Sequence, residues 1–251
     1  MNLHGGHRLD DAALLALWER GVGEGGVVRD DLVLHALAPD GAPPRTLGER
    51  NARLLSLHAQ CFGGAMALLS HCPQCGAASQ FDVDSDALAA ELPVAAERAA
   101  DPAVAHRLEW QGHAIEFRLP DAADVAAESR APDEEAFAQA LLRRCVLACT
   151  HDGAALSLRD VPAPALDALS RRMEALDPAA SVSFALECPQ CAAHWDARLD
   201  VGQMLWHKLQ AAAERVLLEV DALARCYGWS EREVLRLSPT RRAAYLQLAA
   251  A

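Results

Sequence analysis

The sequence predicts a mainly α-helical fold with small β elements, which places it in the α+β class. Apolar residues make up 52% of the chain and aromatic residues only 5%, and the abundant alanine and leucine favour helices. Several long stretches repeat apolar residues at helical spacing. Two Cys-Pro-Gln-Cys turns, in contrast, lie between short segments in which apolar and polar residues alternate, which is the pattern of small hairpins.

Three helices are predicted before the first of these turns. Asp10 or Asp11 can cap a first helix, which the glycines between positions 21 and 26 end. A second helix is expected over 30–38, and a proline-rich loop follows it. Thr46 precedes a third helix, which ends at Gly63 and leads the chain into the first Cys-Pro-Gln-Cys turn.

The Cys-Pro-Gln-Cys turns at 72–75 and 188–191 are two copies of one motif, which we call the first and second knuckles. A two-residue spacer lets both sulfurs of a knuckle point to one side of a tight turn, and proline fixes one backbone angle. Gly76 follows the first knuckle, where glycine tolerates the conformation that closes the turn. After each knuckle comes a short alternating segment that ends in aspartate, and then a helical pattern.

The four knuckle cysteines are predicted to bind one structural Zn²⁺ in a split zinc ribbon. Four thiolates at paired spacing form the ligand set of a closed, tetrahedral zinc site. Because the knuckles lie far apart in the chain, a shared ion would tie two distant segments together as a clamp. Redox-active cysteines, iron in place of zinc, or free thiols are the alternatives, and disulfides are disfavoured because nothing marks the chain as secreted. The predicted metal ligands are Cys72, Cys75, Cys188 and Cys191.

The middle of the chain is predicted to contain one hairpin and three helices. Segments 106–110 and 114–119 alternate in polarity around a Gln-Gly-His turn, which is typical of a β-hairpin. One of the helices, expected over 134–148, would place Cys145 and Cys149 one turn apart on the same face. The other two helices are expected over 122–128 and 162–173.

The chain after the second knuckle is predicted to be almost entirely helical. Apolar residues at helical spacing predict one long helix over 201–227, which Gly228 ends. Ser230 and Glu233 have the spacing of a capping box, which begins a short helix. Pro239 is placed where proline commonly begins a helix, so a last helix is expected from there.

These elements divide the chain into three regions, which zinc is expected to join into one compact unit. An N-terminal helical region with the first knuckle spans 1–92. A middle region with the β-hairpin and its helices spans 93–180. The third region, 181–251, contains the second knuckle, the long helix and the C-terminal helical module.

The charge of the chain argues against nucleic acid as its main ligand. The formal net charge is −12, whereas phosphate binding needs a basic patch. The arginine pairs at 143–144, 171–172 and 241–242 are short and are interpreted as solvated helix faces. The sequence shows neither a signal-peptide pattern nor an apolar run of membrane-spanning length, so we expect a cytoplasmic protein without a membrane partner.

The sequence also predicts that the protein is not an enzyme. It contains no phosphate-binding loop, no Gly-x-Gly-x-x-Gly motif, no Gly-x-Ser-x-Gly turn and no His-Glu-x-x-His zinc motif. Its ten histidines are scattered along the chain. Zinc catalysis needs an open coordination position for water, and a shell of four thiolates leaves none.

Residues 220–246, which read VDALARCYGWSEREVLRLSPTRRAAYL, resemble the C-terminal part of baseplate-associated proteins of contractile phage tails and phage-like contractile injection systems. This family is similar to the baseplate hub assembly chaperones. The segments LGERNARLLSL at 47–57 and FRLPDAADV at 117–125 agree with the same resemblance. The resemblance implies a structural or chaperone-like assembly protein that contacts baseplate hub or wedge proteins, in the cytoplasm or as part of a phage-like particle.

Three aromatic residues in the C-terminal module are candidate partner-binding residues. Tyr227 and Trp229 flank the glycine that ends the long helix, and Tyr245 lies in the last helix. They are interpreted either as the packing of a helical corner against the long helix or as a docking surface for a partner protein. Two further functions stay open, a zinc-ribbon adaptor in transcription or RNA metabolism and a redox or metal-dependent enzyme.

Overall fold

The computed structural model describes residues 9–92 and 105–249 and confirms the predicted α+β class, with 56% helix and 18% strand. The helices are α1 (Asp11–Gly21), α2 (Gly26–Leu37), α3 (Leu47–Phe62), α4 (Ser85–Glu91), α5 (Ala122–Glu128), α6 (Glu134–Cys145), α7 (Ala163–Leu176), α8 (Val201–Tyr227), α9 (Glu231–Leu235) and α10 (Pro239–Ala249). The strands are β1 (Ala65–His71), β2 (Ala78–Asp84), β3 (His106–Trp110), β4 (His113–Phe117), β5 (Val146–His151), β6 (Ala154–Ala155), β7 (Ser183–Glu187) and β8 (His194–Arg198).

The chain folds into two compact units. The first unit is Gly41–Val201, and the second combines Asn2–Asp40 with Gly202–Ala251. The second unit is therefore assembled from two segments that the whole first unit separates in sequence. None of the helices in the described parts of the chain combines the length and the apolar composition that crossing a membrane requires.

Three antiparallel sheets are formed by the residues of the first unit that the structure describes. Strand β1 pairs with β2, and β7 pairs with β8, so each knuckle forms the tip of its own two-stranded hairpin. The third sheet has the strand order β3-β4-β5-β6. Ile115 and Phe117 of β4, Cys149 of β5, and Ala165 and Leu169 of α7 form a buried apolar cluster, so α7 covers one face of this sheet.

The four-stranded sheet corrects the predicted helix over 134–148. Helix α6 ends at Cys145, where Val146 adopts an extended backbone, and Val146–His151 forms the strand β5. Strand β5 pairs with β4 over its length, which gives β4 a hydrogen-bonded neighbour on both sides. The expected placement of Cys145 and Cys149 on one helix face is wrong, because Cys149 lies in this strand. Both thiols are buried, and burial raises the pKa of Cys145 to about 12.

The second unit consists of helices only, in the residues that the structure describes. A Cβ atom added to Gly21 of α1 would lie 2.2 Å from the Trp206 ring of α8, so the absence of a side chain allows this close packing. A Cβ atom added to Gly202 would likewise lie 2.2 Å from a carboxylate oxygen of Asp30 in α2. Both amino-terminal helices therefore pack closely on the beginning of α8.

Two arginines interpreted from the sequence as solvated are engaged in ion pairs. Arg242 of α10 is buried, and it pairs with Asp11 of α1 and with Glu219 of α8 at 3.0 Å. In the first unit, Arg144 lies 3.0 Å from the buried Asp124. Hydrogen bonds from Arg118 hold the pKa of Asp124 well below its usual range. Paired arginines of this kind anchor helices to their neighbours, which the sequence did not indicate.

Most other predicted elements are confirmed. Helices α1, α3, α5 and α8 lie where they were expected, and the capping box of Ser230 and Glu233 begins α9. The central hairpin of β3 and β4 is present, with its turn at Gln111-Gly112. Helix α2 begins at Gly26 rather than at 30, because glycines that were interpreted as breakers lie in its first turn.

Candidate metal centre

The two knuckles bring the four predicted metal ligands together in the first unit. The sulfur atoms of Cys72, Cys75, Cys188 and Cys191 all lie within 4.8 Å of one another. Two contacts join the first cysteine of each knuckle to the second cysteine of the other. The distances are 3.7 Å between Cys72 Sγ and Cys191 Sγ, and 3.5 Å between Cys75 Sγ and Cys188 Sγ.

This arrangement has the dimensions of a tetrahedral site for one metal ion. At a metal–sulfur distance of about 2.3 Å, the corners of a tetrahedral shell lie about 3.8 Å apart. The observed distances of 3.5 and 3.7 Å are close to this value. A disulfide needs sulfurs at about 2.05 Å, and all four cysteines are free thiols. The four cysteines could therefore hold a metal ion.

The same pair of backbone hydrogen bonds closes the turn in both knuckles. In the first, the N–H of Cys72 donates to the carbonyl of Ala77 and the N–H of Gly76 donates to the carbonyl of Cys72, each at 2.9 Å. The second knuckle has the same two bonds, again at 2.9 Å, from Cys188 to Ala193 and from Ala192 to Cys188. The repeated sequence thus folds twice into the same turn.

Backbone N–H groups favour the thiolate form of Cys188, the first cysteine of the second knuckle. The N–H groups of Cys191 and Gln190 face the sulfur of Cys188 and lower its pKa to about 6, and the Gln190 nitrogen lies 3.4 Å from that sulfur. Four thiolates at these distances repel one another strongly unless a cation neutralises part of their charge. The donor set is therefore suited to a cation that prefers soft thiolate ligands, such as Zn²⁺.

The centre is open on one side. Cys72 and Cys188, the first cysteine of each knuckle, are only 2% exposed, whereas Cys75 and Cys191 are exposed. His71 and His194, the histidines nearest to the knuckles in sequence, are both exposed and lie outside the four-sulfur cluster. All four positions of a tetrahedral shell are filled by cysteine.

Side-chain contacts join the two hairpins next to the centre. The rings of Phe81 in β2 and Phe184 in β7 meet edge to face, with their centroids 5.4 Å apart. The indole N–H of Trp195 in β8 donates to the hydroxyl of Ser70 in β1 at 3.2 Å. The hairpins therefore form one packed substructure, in which an apolar contact and a hydrogen bond supplement the sulfur cluster.

A second connection, which the sequence did not predict, links the segments that lead into the two hairpins. The buried carboxylate of Asp177 accepts a hydrogen bond from the N–H of Gly48 in α3 at 2.9 Å. The side chain of Asn51, also in α3, donates to the carbonyls of Ala179 and Ala180 at 2.9 and 3.2 Å. Helix α3 precedes β1, and 177–180 precedes β7, so both hairpins start from a shared anchor.

The three predicted partner-binding residues form a separate cluster in the second unit, which we call the aromatic corner. Tyr227 stacks on Trp229 with ring centroids 4.7 Å apart, and Tyr245 meets Trp229 edge to face at 4.9 Å. The hydroxyl of Tyr227 donates to the carbonyl of Tyr245 at 3.3 Å. Tyr227 remains 38% exposed, and the nearby Leu248 of α10 is 67% exposed. The rings thus pack on one another and still present apolar surface to solvent.

The predicted site residues form two clusters. The cysteines come together in the first unit, and the three aromatic residues come together in the second. No protein family, curated protein or solved structure matches this chain.

Proposed function

We propose that this chain is a non-enzymatic structural or assembly protein of a contractile tail baseplate, stabilised by a structural Zn²⁺. The observation that carries the proposal is the C-terminal sequence 220–246, with its resemblance to baseplate-associated proteins. Supporting it, the aromatic corner formed by that segment exposes part of its surface. Such a half-exposed aromatic cluster is suited to protein–protein contact, in which tyrosine and tryptophan frequently serve as anchors.

The chemistry of the metal centre agrees with a structural role. A closed shell of four thiolates leaves no coordination position for a substrate or for an activated water. The ion would be held by Cys72 and Cys75 from one hairpin and by Cys188 and Cys191 from the other. When bound, it would supply a cross-link between two segments that are distant in the chain.

The metal part of the proposal is tested by elemental analysis of protein purified without added metal. We expect one zinc per chain in the wild type and none in Cys72→Ser. Iron in place of zinc would correct the identity of the ion and leave the clamp intact. Absence of any metal from the wild type would contradict the clamp.

The partner part is tested by capture of purified hub and wedge proteins of a contractile tail. We expect Trp229→Ala to weaken capture at least about tenfold, a loss of about 1.4 kcal/mol. Leu147→Ala is the matched control, because Leu147 is an exposed apolar residue of the first unit. Capture unaffected by Trp229→Ala, with the variant folded, would contradict the role of the aromatic corner. Loss of folded protein without a partner would show that Trp229 serves packing instead.

A further inference from the structure

Two tight turns lie side by side at one end of the four-stranded sheet. Gln111-Gly112 joins β3 to β4, and Asp152-Gly153 joins β5 to β6. All four residues have positive φ, with values of 42° and 80° in the first turn and 48° and 83° in the second. This is the conformation of two-residue hairpin turns. The N–H of Asp152 donates to the carbonyl of Gly112 at 2.9 Å, so the turns are held together.

A pair of histidines lies next to these turns. His113 is the first residue of β4 and His151 is the last of β5, and the two are direct partners in the antiparallel register. Side chains of direct partners project from the same face of a sheet. The imidazole centroids are only 4.2 Å apart, and the ring planes are tilted by 32°. The side chain of His151 is 48% exposed and that of His113 is partly exposed, so the pair is accessible to solvent.

The surrounding groups orient the ring of His113 and place a carboxylate near His151. His113 Nδ1 lies 3.3 Å from the carbonyl oxygen of Gln111. Because a carbonyl can only accept, this contact places the proton on Nδ1 and leaves Nε2 with a free lone pair. The carboxylate oxygen of Asp152 lies 3.6 Å from His151 Nε2. The Asp152 side chain is 79% exposed, so it is free to turn towards an ion bound by the histidines.

We propose that His113 and His151 form a binding site for a divalent transition-metal ion, separate from the cysteine centre, with Asp152 and water completing the shell. Imidazole nitrogens are suitable ligands for Zn²⁺, Cu²⁺ and Ni²⁺, whereas cysteine thiolates favour softer metal ions.

The rings are near the spacing that a shared ion requires. At a metal–nitrogen distance of about 2.1 Å, two imidazoles on one ion have ring centres about 4.5 Å apart at a right angle and about 5.2 Å apart at a tetrahedral angle. The observed 4.2 Å is close to this range, so small rotations of the two side chains would bring both rings onto one ion. Ni²⁺, which imidazole binds well, is a suitable probe.

The test is calorimetric titration of the full chain with Ni²⁺ in a buffer that does not bind metals. All proteins carry His4→Ala and His7→Ala, which remove two imidazoles outside the described residues. Elemental analysis before and after titration shows whether the cysteine centre keeps its content. His207→Ala is the matched control, since His207 is an exposed histidine of α8. His151→Gln retains a long side chain that ends in a polar group. It provides a milder second variant if His151→Ala disturbs the hairpin.

We expect one Ni²⁺ per chain with the cysteine metal content unchanged. His113→Ala and His151→Ala should each weaken binding at least about tenfold, whereas the double variant should be little weaker than either single variant, because a chelate is lost when one arm is removed. Asp152→Asn should weaken binding a few-fold, and His207→Ala should have no effect. Failure of the wild type to bind Ni²⁺, equal binding by the folded histidine variants, or independent additive losses would overturn the proposal and leave the pair as stacked rings.

Discussion

The first and second knuckles share their cysteine spacing and their backbone hydrogen bonds, but they differ in the residue that closes each turn. Gly76 closes the first turn with φ at 74°, and Ala192 closes the second with φ at 56°. Glycine adopts this left-handed conformation freely, whereas alanine does so at a cost of about 1–2 kcal/mol. The backbone hydrogen bonds of the second knuckle therefore hold the turn even at Ala192, a residue that disfavours this conformation.

The hairpins also differ in how they contact each other. Trp195 lies four residues after the last cysteine of the second knuckle and reaches across to Ser70. The corresponding position of the first hairpin is Ser79, whose buried hydroxyl has no hydrogen-bond partner among the described residues. The duplicated motif therefore keeps its metal ligands while the packing around them has diverged.

The largest expected loss of stability follows removal of one candidate metal ligand. Comparing the loss in the two knuckles tests whether they are equivalent. Cys72→Ser and Cys188→Ser should each abolish metal binding and lower the free energy of unfolding by about 3 kcal/mol or more, since structural zinc sites contribute about 10 kcal/mol in small domains. The two losses should agree closely, because each variant opens the same shell. Metal content and urea denaturation are the measurements.

Cys226→Ser is the control for both cysteine variants, because Cys226 is exposed and lies in the second unit. It should change stability by less than about 0.5 kcal/mol. Unequal losses for Cys72→Ser and Cys188→Ser, with metal retained by one of them, would contradict the shared shell.

A smaller loss of stability is expected from variants at the two positions where the packing of the hairpins differs. Trp195→Phe removes the N–H that reaches Ser70 and should cost about 1.5 kcal/mol, of which a lost hydrogen bond accounts for about 1 kcal/mol. Ser79→Ala at the corresponding position should be neutral or slightly stabilising, because it removes a buried hydroxyl that lacks a partner. Thermal and urea unfolding of both variants give the comparison. A cost for Ser79→Ala equal to that of Trp195→Phe would show that the hairpins are held symmetrically.

The smallest effects should have opposite signs in the two knuckles. Gly76→Ala introduces the strain of a left-handed alanine and should destabilise by about 1 kcal/mol. Ala192→Gly relieves that strain but adds freedom to the unfolded chain, so it should stabilise by about 0.5 kcal/mol. Metal content should stay at the wild-type level in both variants. Equal signs would show that the left-handed conformation is not what distinguishes the turns.

Local motifs made the clustering of the four cysteines and most helices predictable from sequence. A knuckle is specified by four adjacent residues, and α9 by the capping pair Ser230 and Glu233, so both could be recognised without knowledge of the rest of the fold. Strand β5 could not, because Cys145 and Cys149 continue the spacing of α6 and only pairing with β4 makes the segment extended. The hydrogen bond between Gly48 and Asp177 could not be predicted either, because the sequence alone does not distinguish a buried aspartate from an exposed one.

The discontinuous second unit has a consequence for biosynthesis. Helices α1 and α2 leave the ribosome before the first unit, whereas α8, on which they pack, follows the whole of that unit. At translation rates of about 5–20 residues per second, roughly 10–40 s pass before α8 is complete. During that interval the apolar faces of α1 and α2 lack their final partner, and the first unit is the earliest part of the chain that can reach its native fold. Formation of the helical unit therefore follows the synthesis of the first unit and waits for α8.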